Sequence, residues 1–264
     1  MENPLSGKRI VVTRSPEQAG PLSASLKSRG AHVIPLAFVE FREPEDWGAL
    51  DRNLAKLREF DWVVFTSQNA VRFFCRRLRE LGRDPKSIAG PPPHYVTFGP
   101  ATSEAAAKEG LGAALVVAGG RTGREFVLEL WREARGKKIL LPRSDRATDH
   151  MAEGLTEAGA EVTVAEAYRT CMPSTFQSEE LENVRREGAD VFIFASPSAF
   201  HNFAKVVAGD ELKRFARTTV FATIGPTTAA AIRDAGIPVA VEAAKSSAEG
   251  IVEALVKYFE KSAS

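Results

Sequence analysis

Apolar residues along the chain occur in short runs that are separated by longer amphipathic stretches. The runs at residues 62–66 and 191–194 are rich in β-branched and aromatic residues and follow an aspartate, which is typical of strands buried on both faces. Between such runs, apolar residues recur at helical spacing, as Leu22 and Leu26 do before Gly30, a residue suited to ending a helix. This alternation predicts parallel sheets covered by helices on both faces.

The predicted elements follow one another without a long linker or a low-complexity segment. The predicted strands are residues 10–13, 33–36, 37–41, 62–66, 95–98, 115–117, 139–141, 162–165, 191–194, 220–223 and 239–241. After the helix that ends at Gly30, the predicted helices of the first half are residues 46–57, 69–81, 102–109 and 124–135. The order of elements in the second half retraces that of the first.

The two halves repeat each other in their turns as well as in their strands. The recurring segments are KRIVVTRS (8–15) and KKILLPRS (137–144), FDWVVFTS (60–67) and ADVFIFAS (189–196), and FGPAT (98–102) and IGPTT (224–228). The first two pairs share an offset of 129 (139 − 10 and 190 − 61), and the third has an offset of 126 (224 − 98). Because a shared core would require only the strands to recur, and turns usually carry ligand groups, we expect two similar lobes facing one ligand.

The composition excludes several classes of protein. With 264 residues, 44% of them apolar, the chain is long enough for two modest cores. A net charge of +1 gives no overall attraction to nucleic acid or to an anionic membrane. Cys75 and Cys171 are too few for a disulfide framework, no apolar run is long enough to span a bilayer, and residues 1–7 lack the apolar core of a secretory signal. We therefore expect a cytoplasmic protein without a nucleic-acid or membrane partner. A monomer is the expected oligomeric state, although composition does not determine it.

Polar residues follow the predicted strands where each strand turns into its helix. In parallel sheets the ligand crevice lies at these carboxyl ends, and each helix start offers unpaired backbone N–H groups. The hydroxyl and amide residues in these turns are Ser67, Asn69, Thr102, Ser144, Ser196, Ser198, Thr227 and Thr228. Each has two interpretations, a helix cap or a donor to a bound anion. As a repeated set, they indicate an anion-binding cleft between the lobes.

Arg14, Arg143 and Arg146 lie in the same turns, where a guanidinium can bind a carboxylate through two hydrogen bonds or can close the turn by a surface salt bridge. Tyr168 breaks the repeat, because the offset of 129 places it opposite Val39 (168 − 129 = 39). A phenol at this position could donate a proton to a leaving oxygen or could simply pack a hinge. Both pairs of alternatives stay open at this point.

Other chemistries lack the residues that they require. The first strand is followed by TRSP (13–16), not by the glycines of a dinucleotide site, and the loop at 119–124 lacks the Gly-Lys-Ser/Thr ending of a phosphate loop. The four histidines have no metal-ligand spacing, and no Ser-His-Asp order with a nucleophile elbow is present. We therefore expect no cofactor and no metal.

The chain resembles the uroporphyrinogen-III synthase family from about Lys8 to Phe259. The segments that carry the resemblance are IVVTR (10–14), FTSQNAV (65–71), FGPAT (98–102), EAYRT (166–170), ASPSA (195–199) and IGPTTA (224–229). The resemblance implies two doubly wound, flavodoxin-like α/β lobes that arose by internal duplication. One lobe would be residues 1–36 with 173–264 and the other residues 43–165, joined by a two-stranded β-ribbon of residues 37–42 and 166–172.

The resemblance also implies the chemistry. The family cyclises linear hydroxymethylbilane to uroporphyrinogen III in the biosynthesis of tetrapyrroles such as haem, sirohaem, cobalamin and chlorophyll. Water is lost and ring D is inverted through a spirocyclic intermediate, which makes the enzyme a cyclising hydro-lyase. Tyr168 matches the tyrosine that assists departure of the hydroxyl. The positions that match carboxylate-binding residues of the cleft are Ser67, Thr102, Ser196, Thr227 and Thr228.

One turn departs from the family. Many relatives have glycine after the arginine of the turn at Arg143, where this chain has Ser144 and Asp145. An acidic side chain there would repel substrate carboxylates unless it is paired, for instance with Arg146. The alternative function is a two-lobed protein that binds a tetrapyrrole or another polyanion without catalysis, since a fold does not fix a function.

Overall fold

The structure is a computed structural model that describes residues 3–88, 90–111, 116–117, 130–173 and 179–262. It consists of two compact units, each with one sheet. Unit 1 comprises Met1–Glu40 and Cys171–Ser264, and unit 2 comprises Phe41–Thr170. The lobe boundaries that the family resemblance implies stay a prediction. Within the described residues, no helix combines the length and the apolar character required to cross a bilayer.

Strands and helices alternate along most of the chain. The strands are β1 (Arg9–Val12), β2 (His32–Pro35), β3 (Glu40–Arg42), β4 (Trp62–Phe65), β5 (His94–Phe98), β6 (Val116–Val117), β7 (Lys138–Ser144), β8 (Glu161–Cys171), β9 (Val191–Phe194), β10 (Val220–Thr223) and β11 (Val241–Glu242). The helices are α1 (Pro16–Lys27), α2 (Gly48–Ala55), α3 (Gln68–Glu80), α4 (Pro100–Lys108), α5 (His150–Glu157), α6 (Glu179–Glu187), α7 (Pro197–Val206), α8 (Asp210–Thr218), α9 (Pro226–Asp234) and α10 (Ala248–Ser262). Two short 3₁₀ helices span Leu57–Glu59 and Pro85–Ile88.

The two sheets have equivalent strand orders and registers. Unit 1 has the order β11-β10-β9-β1-β2, and unit 2 has the order β6-β5-β4-β7-β8-β3. Ile10 pairs with Val191, and the offset of 129 converts this pair into Ile139 and Trp62, which also pair. The first β-α-β segment therefore shares a sheet with the C-terminal strands, and a tandem division near Gly136 would separate β1 from β9.

Each sheet is buried on both faces, as the apolar runs predict. In β4, Val63 and Phe65 belong to a cluster with residues of α2, α3 and α4, whereas Trp62 and Val64 belong to a cluster with residues of α5. In β9, Val191 and Ile193 face one side of the sheet and pack with residues of α1 and α10. Phe192 and Phe194 face the other side and contact phenylalanine rings of α7. A parallel sheet with helices on both faces is the expected architecture for such strands.

The aspartate before each central strand joins that strand to its neighbour. The Asp190 carboxylate accepts the backbone N–H of Arg9 at 2.7 Å, and the Asp61 carboxylate accepts that of Lys138 at 2.8 Å. Each carboxylate also lies within 3.7 Å of a lysine ammonium group. The aspartates recur because each satisfies a donor at the start of the adjacent strand.

Several predicted elements differ from those of the structure. The strand predicted at 37–41 is only Glu40–Arg42, because Phe38 and Val39 are both buried and the Phe38 carbonyl accepts a 2.7 Å hydrogen bond from Asn202. The strand predicted at 162–165 and all but the last residue of the ribbon segment predicted at 166–172 form one strand, β8. The predicted strand at 239–241 lies at Val241–Glu242. Residues 130–134 are helical and residue 135 is in a turn, whereas residues 124–129 of the helix predicted at 124–135 and the loop at 119–124 lie outside the described residues.

Candidate functional site

Helix α3 of unit 2 begins with a side-chain cap that also contacts the phenol of Tyr168. Ser67 is extended, and its hydroxyl oxygen accepts the backbone N–H of Ala70 at 3.1 Å. The same oxygen lies 3.1 Å from the hydroxyl oxygen of Tyr168. Ser67 can therefore cap the helix and also donate a hydrogen bond. Capping occupies one acceptor site of the hydroxyl and leaves its proton available.

Tyr168 is held in the core of unit 2, with 7% of its surface exposed. Its ring stacks on Phe73, with ring centroids 5.6 Å apart, and meets Phe41 edge-on at 5.8 Å. Burial raises the pKa of the phenol above its ordinary value, the hydrogen bond to Ser67 opposes this shift, and the negative charge of Asp145 adds to it. Tyr168 is therefore protonated at neutral pH, as a proton donor must be.

A β-bulge determines which way Tyr168 faces. The parallel pairing of β7 with β8 runs in regular register as far as Arg143 and Glu166, and then shifts so that Ser144 pairs with Tyr168. One residue of β8, Ala167, is therefore extra, and Ala167 and Tyr168 are both buried. Bulges commonly re-aim a side chain next to a functional site.

Asp145 fastens the strand beyond the bulge. One oxygen of its carboxylate accepts the Ser144 hydroxyl at 2.8 Å and the backbone N–H of Thr170 at 2.9 Å. The other oxygen lies 3.9 Å from the Arg169 guanidinium and 4.0 Å from that of Arg146. The predicted pairing with Arg146 is present, but the shorter contacts hold Asp145 between the turn after β7 and the end of β8, so that its charge is balanced by protein groups.

The two equivalent arginines have different surroundings. Arg143 donates to the Thr148 carbonyl at 3.1 Å and pairs with the Asp149 carboxylate, so the salt bridge considered as its alternative role is present. Arg14 is half-buried, takes part in none of the ion pairs found among the described residues, and has a buried Nε without a hydrogen-bond partner. Burial lowers the pKa of Arg14, but a guanidinium stays charged at neutral pH. Of these two arginines, Arg14 is the one without an acidic partner among the described residues.

The other predicted residues lie at helix starts in both units. Ser196 caps α7 by accepting the Ala199 N–H at 3.2 Å, and its hydroxyl lies 3.1 Å from that of Ser198. Thr102 of α4 and Thr228 of α9 are buried, whereas Thr227 is exposed. Asn69 is buried in the first turn of α3 and takes part in at least one interaction. Within each unit, these residues line the carboxyl edge of the sheet, as parallel strands followed by helices require.

Several residues around the site have no distinct signal in the sequence. Phe41 and Phe73 pack against the ring of Tyr168, which follows the bulge, and no sequence feature indicated this contact. Thr97 and Thr223 occupy equivalent strand positions (223 − 97 = 126), an equivalence that the repeat could have revealed, and their buried hydroxyls have no hydrogen-bond partner in the described part of the chain. No group of three or more histidine, cysteine, aspartate or glutamate side chains in the described part of the chain could hold a metal ion.

The fastening role of Asp145 predicts a specific loss of stability. Asp145→Ala removes a carboxylate that accepts two hydrogen bonds, so we expect the free energy of unfolding in urea to fall by about 2 kcal/mol. The amide of Thr170 should exchange faster with solvent. Asp149→Ala is the matched control, because Asp149 is 66% exposed and its ion pair should contribute only about 0–1 kcal/mol. Equal losses in the two variants would show that Asp145 has no fastening role.

Comparison with known proteins identifies the family. The family model described as uroporphyrinogen-III synthase HemD matches residues 20–253. Uroporphyrinogen-III synthase of Synechococcus elongatus is 28% identical to this chain over 261 residues, covering 97% of each chain. Crystal structures of uroporphyrinogen III synthase from Thermus thermophilus (16% identity) and of uroporphyrinogen-III synthetase from Helicobacter pylori (20% identity) share the fold. Their TM-scores are 0.68 and 0.61, and the matches cover 97% and 93% of this chain and 100% and 97% of theirs. The chain belongs to the uroporphyrinogen-III synthase family.

Proposed function

We propose that Tyr168 is the proton donor in the cyclisation of hydroxymethylbilane to uroporphyrinogen III. As a member of this family, the chain is an enzyme of tetrapyrrole biosynthesis. The observation that carries the proposal is the buried, protonated phenol, 3.1 Å from the Ser67 hydroxyl at the start of α3. A helix start favours negative charge, such as the phenolate that forms when the proton leaves.

Proton donation assists the first chemical step. As the C–O bond of the hydroxymethyl group breaks, the phenolic proton moves to the departing oxygen, which leaves as water. The methylene carbon is left electron-deficient. The lone pair of the pyrrole nitrogen is delocalised toward this carbon, which gives a conjugated cation. After the ring closes, loss of a proton from the substrate restores the aromatic pyrrole, and a proton returns to Tyr168. Because the substrate ionises readily, the phenol needs only to assist.

Control of the site of attack is the larger task of the enzyme. The cation must meet the substituted carbon of ring D, form the spirocyclic intermediate, and reclose with that ring inverted. Holding a flexible chain in one geometry is catalysis by orientation. We propose that the substrate carboxylates bind the hydroxyls, amides and helix-start N–H groups at the carboxyl edges of the two sheets, together with Arg14. This assigns anion binding to local donors, as a net charge of +1 requires.

The remaining family properties are also part of the proposal. The equal registers of the two sheets support an origin by duplication. The segments at 37–42 and 166–172 would act as the connecting ribbon, and the strands β3 and β8, to which they contribute, are neighbours in one sheet. We expect a cytoplasmic monomer that requires no cofactor.

The synthase activity is tested by the isomer of the product. Freshly generated hydroxymethylbilane should give mainly the type III isomer when the products are oxidised and separated by chromatography. Spontaneous closure gives the unflipped type I ring and is the reference. Type I product alone, formed at the spontaneous rate, would support the non-catalytic binding protein instead.

Removal of the phenolic hydroxyl should slow ring closure without weakening binding. For Tyr168→Phe we expect a decrease in kcat of about 10²-fold, the low end of general acid catalysis, because the substrate ionises readily. The affinity for uroporphyrinogen III should stay within about twofold, since a single neutral hydrogen bond to one oxygen contributes little. Tyr258→Phe, on α10 of unit 1, is the matched control. A rate equal to that of the wild type would remove Tyr168 from the mechanism.

Arg14 should increase the affinity for the tetrapyrrole while lowering the stability of the folded protein. Arg14→Met removes a half-buried guanidinium that has no carboxylate partner among the described residues, so the melting temperature should stay constant or rise. The affinity for uroporphyrinogen III should fall by about tenfold or more, the usual effect of losing a charged hydrogen bond.

Arg143→Met provides the comparison for Arg14, because Arg143 occupies the equivalent position (14 + 129 = 143) and is bound to Asp149. Its melting temperature should fall, and its affinity should change less than that of Arg14→Met. A large loss of stability in Arg14→Met with unaltered affinity would indicate a structural role for Arg14.

A further inference from the structure

Ser67 occupies a position between a helix start and the proposed proton donor. Its hydroxyl oxygen accepts the Ala70 N–H at 3.1 Å and lies 3.1 Å from the phenol oxygen of Tyr168. We propose that Ser67 is a positioning residue that donates its hydroxyl proton to the Tyr168 oxygen, so that the phenolic proton is directed at the substrate. This inference rests on the proposed function and extends it to a residue assigned above only to binding.

The hydrogen-bonding capacity of the two hydroxyls permits donation from Ser67 to Tyr168, and the proposed function requires that direction. A serine hydroxyl has one proton and can accept two hydrogen bonds. Because the Ala70 N–H occupies one acceptor site, the serine proton is available for the phenol oxygen. The phenolic proton is then not used within the protein and can be given to the leaving hydroxyl. The reverse direction would commit the phenolic proton to Ser67 and leave none for the substrate.

Packing keeps the phenol in this arrangement. Phe73 stacks on the ring, with the two planes 18° apart, and Phe41 meets it edge-on at 71°. With 7% of Tyr168 exposed, the ring has little room to turn away from Ser67. A proton donor that is fixed before the substrate arrives requires little reorganisation in the transition state.

The hydrogen bond also acts on the acidity of the phenol. As the proton leaves, negative charge develops on the Tyr168 oxygen, in a buried site and near the carboxylate of Asp145, both of which oppose it. The Ser67 hydroxyl and the N-terminus of the 13-residue helix α3 are the groups that stabilise this charge. Loss of Ser67 should therefore make the phenol a weaker acid as well as a less well-directed one.

The repeat provides a matched control for the capping role. Ser196 caps α7 through the Ala199 N–H at 3.2 Å, as Ser67 caps α3, but its hydroxyl lies beside that of Ser198. Replacing either serine by alanine removes one helix cap. Only the variant at Ser67 also removes a contact with a phenol, so the difference between the two variants isolates the positioning role.

A titration of Tyr168 tests the contact directly. With tyrosine labelled by ¹³C at the phenolic carbon, NMR resolves Tyr95, Tyr168 and Tyr258, and each signal is assigned by its Tyr→Phe variant. We expect the pKa of Tyr168 to rise in Ser67→Ala, to return to the wild-type value in Ser67→Thr, which keeps the hydroxyl, and to be unchanged in Ser196→Ala. An unchanged pKa in Ser67→Ala, or an equal shift in Ser196→Ala, would overturn the proposal.

A double-mutant cycle tests the consequence for catalysis. Ser67→Ala should reduce the single-turnover rate at saturating substrate by about fivefold, the usual contribution of one neutral hydrogen bond, beyond any loss of affinity from its proposed contact with a substrate carboxylate. In the Tyr168→Phe background the same substitution should have no further effect on the rate. An equal effect on the rate in both backgrounds, or a loss confined to affinity, would show that Ser67 does not act through Tyr168 and would overturn the proposal.

The two experiments separate failure of this inference from failure of the proposed function. A wild-type chain that makes only type I product, or a Tyr168→Phe variant with the wild-type rate, would contradict the proposed function, whatever the titration shows. A chain that makes type III product and depends on Tyr168, but in which Ser67→Ala leaves both the pKa and the rate unchanged, would contradict only the role of Ser67.

Discussion

The pairing of β1 with β9 is the constraint on which the architecture depends. It joins residues 10–12 to residues 191–193, so the sheet of unit 1 is completed by strands from the two ends of the chain. All six paired residues are fully buried, so the pairing cannot be loosened without exposing the core. As a consequence, the chain passes from one unit to the other twice, at residues 40–41 and at residues 170–171.

The second of these crossings, at residues 170–171, comes shortly after Tyr168, the candidate catalytic residue. Tyr168 lies two residues before the end of unit 2, in the part of β8 that follows the bulge. The bulge turns the phenol toward Ser67, Asp145 holds the next residues against the β7 turn, and Phe41 and Phe73 fix the ring. The surrounding contacts thus fix the orientation of one hydroxyl, which is what a proton donor requires.

Much of the fold could be predicted from the sequence because its strands are buried on both faces. The runs at β9 and β10 were predicted at their observed bounds, since no other element fits an apolar run of four residues between a helix and a turn. The polar turns were singled out as candidate site positions because they recur at a fixed offset. Tyr168 was singled out because it breaks the repeat. The strand at 37–41 was predicted too long, because its alternating pattern hides that Phe38 and Val39 are both buried.

The contacts within the site could not be predicted in the same way. The bulge at Ala167 depends on the register between two strands, which no local pattern specifies, and it decides which residues surround Tyr168. Arg14 and Arg143 occupy the same position in the repeat, yet among the residues that the structure describes only Arg143 has an acidic partner within its own turn, Asp149. The repeat identified the positions, whereas the partners depend on the neighbours in each unit.

The most direct measurement of the central claim is the dependence of the ring-closure rate on the acidity of the residue-168 phenol. Fluorinated tyrosines incorporated at this position change the phenol pKa with little change in size. Single-turnover rates would be compared at a pH where every analogue is protonated. If Tyr168 donates its proton to the departing hydroxyl, the rate should rise steadily as the phenol becomes more acidic. A rate that is independent of phenol acidity, with normal type III product, would contradict the account.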